Sequence, residues 1–559
     1  MSFAEETNLA TYRLQIKPYI QPFERRLALL EIQSICGRSP SPARSVGEKD
    51  TAFSIETSLP RGELVNRLTY WEWVQHDLTR QTLREATVNA VRNGVPFRGI
   101  QRQLPFNVDV PLPNRRCLRY GTHGLHEYRG KFFPQLVRAL INIGKVPDRG
   151  VVADPMCGSG TTLVEASLMD HTALGLDINP LSVLMSKAKC DVLGIQPEHL
   201  VRGYEGLRDR ILSEKPHRTT EHARYLHSLP RQDQNYLGLW FAPQVLADLE
   251  SIVGAIYEER AGAIRAFFLV ALSNILRRVS WQKDDDLRVR REVTPDVDTD
   301  PVREFLEELG RSVRCVLAFL WQEHGVSLGK VHVEEGDARN MDVSWCSWRG
   351  KVDAIITSPP YATALPYLDT DRLSLIYLQL LTRSLHRKRD QVMIGNREVT
   401  ERQRRDLWDR FGRDRQLLPM NVVTLVEKIR QRNAKTDAGF RRRNLPALLS
   451  KYFLDMTTVL AGMLEIMKAG APAYVVVGSN HTVAGGERIE IPTAHLLEEI
   501  AKTLGFDVDE AIPMEMLVSR DIFRKNAGPS EHILCLRKPA QKYPHRFREF
   551  GTLSVHCAR

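Results

Sequence analysis

Two hydrophobic periods alternate along this chain. Short apolar runs, Val151-Val152-Ala153, Thr172-Ala173-Leu174-Gly175-Leu176, Val331-His332-Val333 and Val352-Asp353-Ala354-Ile355-Ile356, read as strands. Between and beyond them, apolar residues spaced three and four apart predict helices through Leu163–Leu168, Asp371–Leu381, Tyr452–Lys468 and Thr493–Leu504. Ala473–Val477, Val508–Ile512 and His532–Leu536 read as further strands, so the pattern is that of an α/β sheet protein. Helical spacing also fills the long interval before Val331, through Leu237–Ile256, Ala263–Leu276 and Phe305–Leu320, which predicts a helical lobe inserted into the sheet. Near the N-terminus, helical patterns cover Tyr19–Ile35 and Glu63–Val91, separated by the loop-like Gly37-Arg38-Ser39-Pro40-Ser41-Pro42.

Composition narrows the class. The chain has 559 residues, 43% of them hydrophobic, enough for roughly two to four domains. Its net charge of +10 favours polyanionic partners over membranes. That charge is not spread evenly. Residues 383–451 hold 19 Lys and Arg against 8 Asp and Glu, a surplus of 11 that accounts for the whole net charge. The eight cysteines show no C-x-x-C spacing, which predicts reduced thiols in a cytoplasm and no metal site. The first residues lack the basic flank and apolar core of a signal peptide, and no uninterrupted apolar run reaches about eighteen residues, so no membrane span is expected.

The candidate chemistry begins at Ser358-Pro359-Pro360-Tyr361, directly after the apolar run ending at Ile356-Thr357. Two prolines fix φ and lack N–H groups, so this turn is rigid and presents acceptors. Acceptors suit a base edge carrying an NH2. An amine conjugated to a base ring attacks a methyl donor only when its hydrogens are held and its nitrogen becomes tetrahedral. The Ser358 hydroxyl and the Pro359 carbonyl can supply the two acceptors, and Tyr361 a face on which a flipped base stacks. A second signal is Val151-Val152-Ala153-Asp154-Pro155-Met156-Cys157-Gly158-Ser159-Gly160-Thr161-Thr162, a strand, a glycine turn and a helix start. Gly158 and Gly160 allow close approach of backbone to a ligand, and Thr161 or Thr162 can cap the helix. Asp177 ends the next strand, where a carboxylate can bind a ribose diol, and Asp337 ends the third.

In these motifs the chain resembles the S-adenosylmethionine-dependent amino-methyltransferases of DNA, which make N4-methylcytosine or N6-methyladenine. The resemblance implies that Asp154, Pro155, Met156, Gly158, Gly160 and Thr161 form the cofactor loop, with Met156 where a Phe is usual. It also implies Asp177 on the ribose, Asp337 on the adenine side, and Ser358 to Tyr361 as the catalytic tetrapeptide. Upstream, His126 to Gln135 is similar to the segment closing over the cofactor's methionine end, which makes Lys131 and Phe132 candidate contacts. A Ser at the first tetrapeptide position leans toward cytosine N4 in this family. C5-cytosine chemistry needs a Pro-Cys nucleophile, and none of the eight cysteines follows a proline.

The implied fold is a Rossmann-like methyltransferase with a seven-stranded mixed sheet. Its expected layout is an accessory domain at 1–115, the cofactor half at 116–190, the helical insertion at 191–329, the catalytic half at 330–382, the basic insertion at 383–451, the C-terminal half at 452–540 and a tail at 541–559. About twenty residues separate Asp337 from Ser358, too few for a recognition domain. DNA recognition is therefore expected outside that interval, in the helical lobe near Arg277 and Arg278 beside Trp281, in the N-terminal domain or, the favoured place, in the basic insertion with Arg441, Arg442 and Arg443. The expected partner is double-stranded DNA, with a cognate restriction or defence-system component and the oligomeric state left open. Alternatives are N6-adenine specificity, an RNA guanine-N2 methyltransferase, and a non-catalytic DNA-binding subunit.

Overall fold

The computed structural model describes residues 9–17, 20–43, 51–83, 120–128, 133–213, 224–283, 290–293, 299–322, 326–362, 367–396, 399–435, 439–515 and 530–540. These described residues form fourteen strands, numbered in chain order. The N-terminal part is a five-stranded sheet of β1 (Ala10–Ile16), β2 (Ser41–Pro42), β3 (Ala52–Thr57), β4 (Trp71–His76) and β5 (Thr79–Thr82), in the order β2-β3-β1-β4-β5. Its pairs are antiparallel.

One expectation fails here. Of the helix expected over Glu63–Val91, only the part up to Arg67, within the helix Arg61–Arg67, is helical among the described residues; β4 and β5 then form a hairpin, and residues 84–91 lie outside the described ones. Asp77 takes a positive φ of 51° at the hairpin tip, and Trp71 and Val74 bury themselves in the sheet while Leu78 stays exposed at the turn. Aromatic and β-branched residues in a short paired segment outweighed the helical spacing.

The catalytic sheet contains β6 (Val151–Asp154), β7 (Thr172–Asp177), β8 (Val331–Glu335), β9 (Ala354–Thr357), β10 (Pro472–Gly478), β13 (Asp507–Glu515) and β14 (Ser530–Arg537), in the order β13-β14-β10-β9-β6-β7-β8. The first five strands in sequence run parallel, and β14 lies antiparallel between β10 and β13. Counted in chain order this is 3-2-1-4-5-7-6, the Rossmann-like methyltransferase sheet expected from the motifs. Parallel strands buried on both faces explain the unbroken apolar runs: Val152, Ala153, Ala354, Ile355 and Ile356 are all fully buried. A small hairpin of β11 (Asn480–Ala484) and β12 (Glu487–Ile491) follows β10 and has no counterpart in the sequence reading.

Between β7 and β8 stands the helical lobe, with long helices at Pro197–Ser213, Pro243–Tyr257, Gly262–Leu276 and Pro301–Gln322. After the catalytic turn, the basic segment folds as helices Arg383–Val392, Glu401–Asp414 and Met420–Ala434. The next helix, Phe440–Ile466, starts in the basic segment and continues for 27 residues into the core, across the expected boundary at 451/452. By length and composition it could cross a membrane, yet 83% of its most apolar window is buried inside the protein, as in a core helix. Asp455, fully buried on it, gathers Lys451 at 2.8 Å, Arg410 at 2.9 Å and Arg339 at 3.1 Å. Burial alone would raise its pKa, but these cations hold it below the usual range. The cluster fastens the basic segment to the sheet.

The N-terminal sheet shares a continuous hydrophobic core with one face of the catalytic sheet. Glu31, on the helix Pro22–Cys36, is fully buried at this junction and accepts from the Thr69 backbone N–H at 3.0 Å and from Asn142 Nδ2 at 2.7 Å. Burial pushes its carboxyl up to about 8. The folded state therefore binds a proton that the unfolded state releases near pH 4.5, so stability falls as pH rises from about 5 to 8. Glu31→Gln, whose amide oxygen can accept both bonds, is expected to remove this slope. Thermal melts of both proteins from pH 5 to 9 check it: parallel curves would contradict the assignment.

Candidate active site

The candidate residues come from the carboxyl ends of β6, β7, β8 and β9, where ligands sit in open α/β sheets. After β6 the chain turns through Gly158 and Gly160, with φ of 49° and 79°, and enters the helix Thr161–Leu168. Side chains are excluded there by space as well as φ: a Cβ on Gly160 would lie 2.7 Å from Ser186 Oγ, and one on Gly158 would lie 3.0 Å from the Tyr128 ring. Neither Thr161 nor Thr162 caps the helix. Gly160 occupies the N-cap without a side-chain bond, and the Thr162 hydroxyl donates to the Ile356 carbonyl at 3.1 Å, tying the glycine turn to the strand that carries the catalytic turn.

Asp177 ends β7, half-buried, and its carboxylate accepts from the backbone N–H groups of Gly158 and Asn179, both at 2.8 Å. Burial outweighs these bonds and lifts its pKa to about 6. Asp154 is fully buried: Oδ1 accepts from the Met156 N–H at 3.1 Å, and the hydroxyls of Thr357 and Thr162 also act on its carboxyl. Burial pushes this carboxyl up to about 7. A buried carboxyl beside the glycine turn whose named partners are all neutral donors fits a compensating positive charge, which the ammonium of a cofactor's amino-acid end would supply. Pro155 is buried and Met156 partly so, packed against the apolar cluster that contains Ala153 and Ile355.

Asp337 follows β8 and is held by Arg339, which forks onto its carboxylate and also reaches Asp455. The side chain caps its own turn through the Arg339 N–H at 3.0 Å. Gly336 N–H donates to the Asp177 carbonyl at 3.0 Å, so the two acidic strand ends are neighbours. Lys131 and Phe132 lie outside the described residues.

Ser358, Pro359, Pro360 and Tyr361 follow directly on the end of β9 outside any helix or strand, with Ser358 and Tyr361 half-buried. Two residues missed by the sequence reading shape this turn. A Cβ on Gly478, at the end of β10, would lie 3.1 Å from the Tyr361 ring, so the ring rests where that glycine leaves space. The Tyr361 hydroxyl donates to Glu531 on β14, the residue paired with Gly478 across the sheet. Burial raises the Glu531 pKa and the bond from Tyr361 opposes that rise. No sequence motif marks Glu531; only the strand order brings it beside the catalytic turn.

Also missed was a buried cluster beneath the cofactor segment. Glu165, fully buried on the helix after the glycine turn, accepts from the Tyr120 hydroxyl at 2.7 Å, bonds His123 Nε2 at 2.7 Å and pairs with Arg138 at 3.1 Å. Burial would raise its carboxyl, but these partners hold it below the usual range. The cluster pins the stretch leading to His126 against the glycine-turn helix.

The candidate nucleic-acid residues divide. Arg278 pairs with Glu308 at 3.2 Å and Glu304 at 3.8 Å, and Arg277 donates to the Lys283 carbonyl at 3.1 Å, so both are engaged within the lobe. Arg441, Arg442 and Arg443 are exposed in the first turn of Phe440–Ile466. Cations there face the positive end of the helix, an unfavourable placement that an anionic partner would relieve.

Comparison with known proteins agrees with this geometry. The family model UPF0020, the RMKL-like methyltransferase domain, matches residues 126–192, from the cofactor-closing segment through the glycine turn and Asp177. The Type II methyltransferase M.MvaI of Kocuria varians is 25% identical over 391 residues, covering 68% of this chain and 81% of its own. The Type II methyltransferase M.AvaI of Nostoc sp. is 23% identical over 401 residues, 69% of this chain and 79% of its own. A tRNA (guanine(10)-N2)-dimethyltransferase of Methanocaldococcus jannaschii is 40% identical over 98 residues, 17% of this chain and 28% of its own. Fold, motifs and matches together define an S-adenosylmethionine-dependent methyltransferase. Within that class, the Type II methyltransferases are similar to the larger share of the chain and the tRNA enzyme to the smaller.

Proposed function

We propose that this protein methylates the exocyclic amine of a base flipped out of double-stranded DNA, and that the base is cytosine, modified at N4. The observation that carries the reading is the placement of Ser358-Pro359-Pro360-Tyr361 at the end of β9, bonded through Ile356 and Thr162 to the glycine turn. S-adenosylmethionine supplies an electrophilic sulfonium methyl. In this reading Asp177 binds the ribose hydroxyls, Asp154 faces the ammonium, Asp337 lies on the adenine side, and Lys131 and Phe132 close the methionine end. Ser358 Oγ and the Pro359 carbonyl hold the amine hydrogens, and Tyr361 stacks on the base. The methylated nitrogen is acidic enough to release its proton after attack, so no strong base is needed before it.

Double-stranded DNA is favoured by the distribution of cations in the basic segment. Arg387, Lys388, Arg402, Arg405, Arg413 and Arg443 have exposed side chains without an ion-pair partner among the described residues. With a cognate restriction component as a further partner and the cytoplasm as the setting, this is a modification enzyme.

A second reading, transfer to guanine N2 of RNA, is favoured by the 40% identity to the tRNA enzyme. That match spans 17% of the chain, whereas those to the Type II enzymes span more than two thirds. Cytosine N4 over adenine N6 rests on Ser358 alone, since a hydroxyl can accept from either amine.

Neutralising Arg441, Arg442 and Arg443 together to Gln is expected to weaken duplex DNA binding and to reduce the slope of log affinity against log salt by about two to three. Cofactor affinity should not change. Fluorescence anisotropy with duplex DNA and with structured RNA, across a salt series, checks both points. An unchanged slope would return these arginines to a solvated face, and preferential binding of RNA would favour the second reading.

A further inference from the structure

The sequence offers the helical lobe and the basic segment as alternative recognition elements, but the structure brings them into contact. The Arg383 backbone N–H donates to Asp233 Oδ1 at 2.8 Å, and the Arg383 guanidinium lies 5.0 Å from the centre of the Tyr236 ring. Arg372, from the short helix after the catalytic turn, donates to the Tyr236 hydroxyl at 3.2 Å. At this junction a cleft of about 570 Å³ opens. Asp369 and His386 line it, together with Gln232 of the helical lobe.

The cleft has the chemistry of a nucleotide site. Ser384, Arg387 and Gln391 lie three and four residues apart on the helix Arg383–Val392 and all line it from one face. Arg387 is exposed with no ion-pair partner among the described residues, although Asp369 and Asp390 also line the cleft. The Asp369 carboxylate is taken by Arg372. Phe440, 48% exposed, lines the cleft one residue before the arginine run at 441–443. Thr400 and Gln403 cap each other at the start of Glu401–Asp414 and present polar groups beside it. A free guanidinium, a side-chain amide and an exposed aromatic face in one cleft match a phosphate, a base edge and a base face. The size falls within the range of small-molecule sites, roughly 300–1,000 Å³.

We propose that this cleft, built jointly by the helical lobe and the basic segment, is the recognition groove that holds a nucleotide of the DNA target flanking the methylated base. Arg387 takes the phosphate, Phe440 stacks on the base, and Gln391 reads its edge. The proposal rests on the DNA-methyltransferase reading above, and it replaces a single recognition insertion by a groove between two. Neither Arg387 nor Phe440 belongs to the cofactor or catalytic machinery.

The test uses Arg387→Gln and Phe440→Ala in the full chain, with duplex DNA affinity by anisotropy across a salt series, single-turnover methyl transfer at saturating DNA, and cofactor affinity by calorimetry. Arg387→Gln is expected to weaken binding about tenfold and to lower the salt slope by about one. Phe440→Ala is expected to weaken it about five- to tenfold without changing the slope, because stacking carries no counterion release. Transfer at saturation and cofactor affinity should match the wild type, which also shows that the variants fold. A wild type that methylates DNA while both variants bind it unchanged overturns the groove alone. A wild type that transfers no methyl to DNA overturns the proposed function and the groove with it. Losses seen with RNA and not with DNA overturn the assignment to DNA.

Discussion

Ser358→Ala is expected to lower methyl transfer by about a hundredfold or more while cofactor affinity barely moves. The substitution keeps both prolines after β9 and deletes only a hydroxyl acceptor. In the proposed geometry that acceptor matters most as the amine turns tetrahedral, so its loss should fall on kcat, as for an interaction stronger in the transition state than in the ground state. Tyr361→Ala should behave differently. It removes a stacking face worth about 1–3 kcal/mol and leaves the Glu531 carboxyl without its donor and Gly478 uncovered, so its damage should include weaker capture of the flipped base. Single-turnover transfer with DNA and cofactor affinities measured in parallel separates the two. A Ser358→Ala protein with wild-type turnover would remove Ser358 from the mechanism.

Asp177 should give the largest effect on the cofactor. Asp177→Ala deletes a charge-assisted acceptor for two ribose hydroxyls, a loss of about 1.5–3 kcal/mol, or roughly 10- to 150-fold in affinity. It also frees the Gly158 N–H that shapes the glycine turn. The pH dependence follows from its raised pKa of about 6. Above that value the carboxylate is charged and accepts; as pH falls through it, protonation removes one acceptor and the charge. Wild-type affinity for S-adenosylmethionine should therefore weaken below about pH 6, and Asp177→Asn should be weak and flatter across the same range. Calorimetry from pH 5 to 8 reads both, and an unchanged affinity in Asp177→Ala would take this residue out of the site.

Much of this was legible in the chain because the catalytic strands are buried on both faces and bounded by glycine or proline turns. Val151–Asp154, Thr172–Asp177 and Ala354–Thr357 announce themselves as apolar runs, and the residues closing them are the candidate ligands. The helix Thr493–Leu504 matches its expected bounds, because its apolar stripe ends at the left-handed Gly505. What escaped depends on contacts between distant segments. Trp71–His76 has local spacing compatible with a helix and becomes a strand only because β1 and β5 pair with it. Arg278 reads as a phosphate contact until Glu304 and Glu308, on a later helix of the lobe, take it up. Glu531 is 170 residues from Tyr361, and no periodicity could join them before β14 was placed beside β10. The basic surplus was visible as a number, but its division into cations spent on Asp455, Glu335 or Glu427 and cations left exposed required the fold.

The most direct measurement is the identity of the product. The purified protein is incubated with duplex DNA of mixed sequence and S-adenosylmethionine carrying a labelled methyl group, the DNA is digested to nucleosides, and the labelled nucleoside is identified by mass and chromatography. The account predicts N4-methylcytosine with wild-type protein and none above background with Ser358→Ala. Label in N6-methyladenine would keep the mechanism and change the base. Label in 5-methylcytosine, or transfer to RNA guanine with none to DNA, would contradict it.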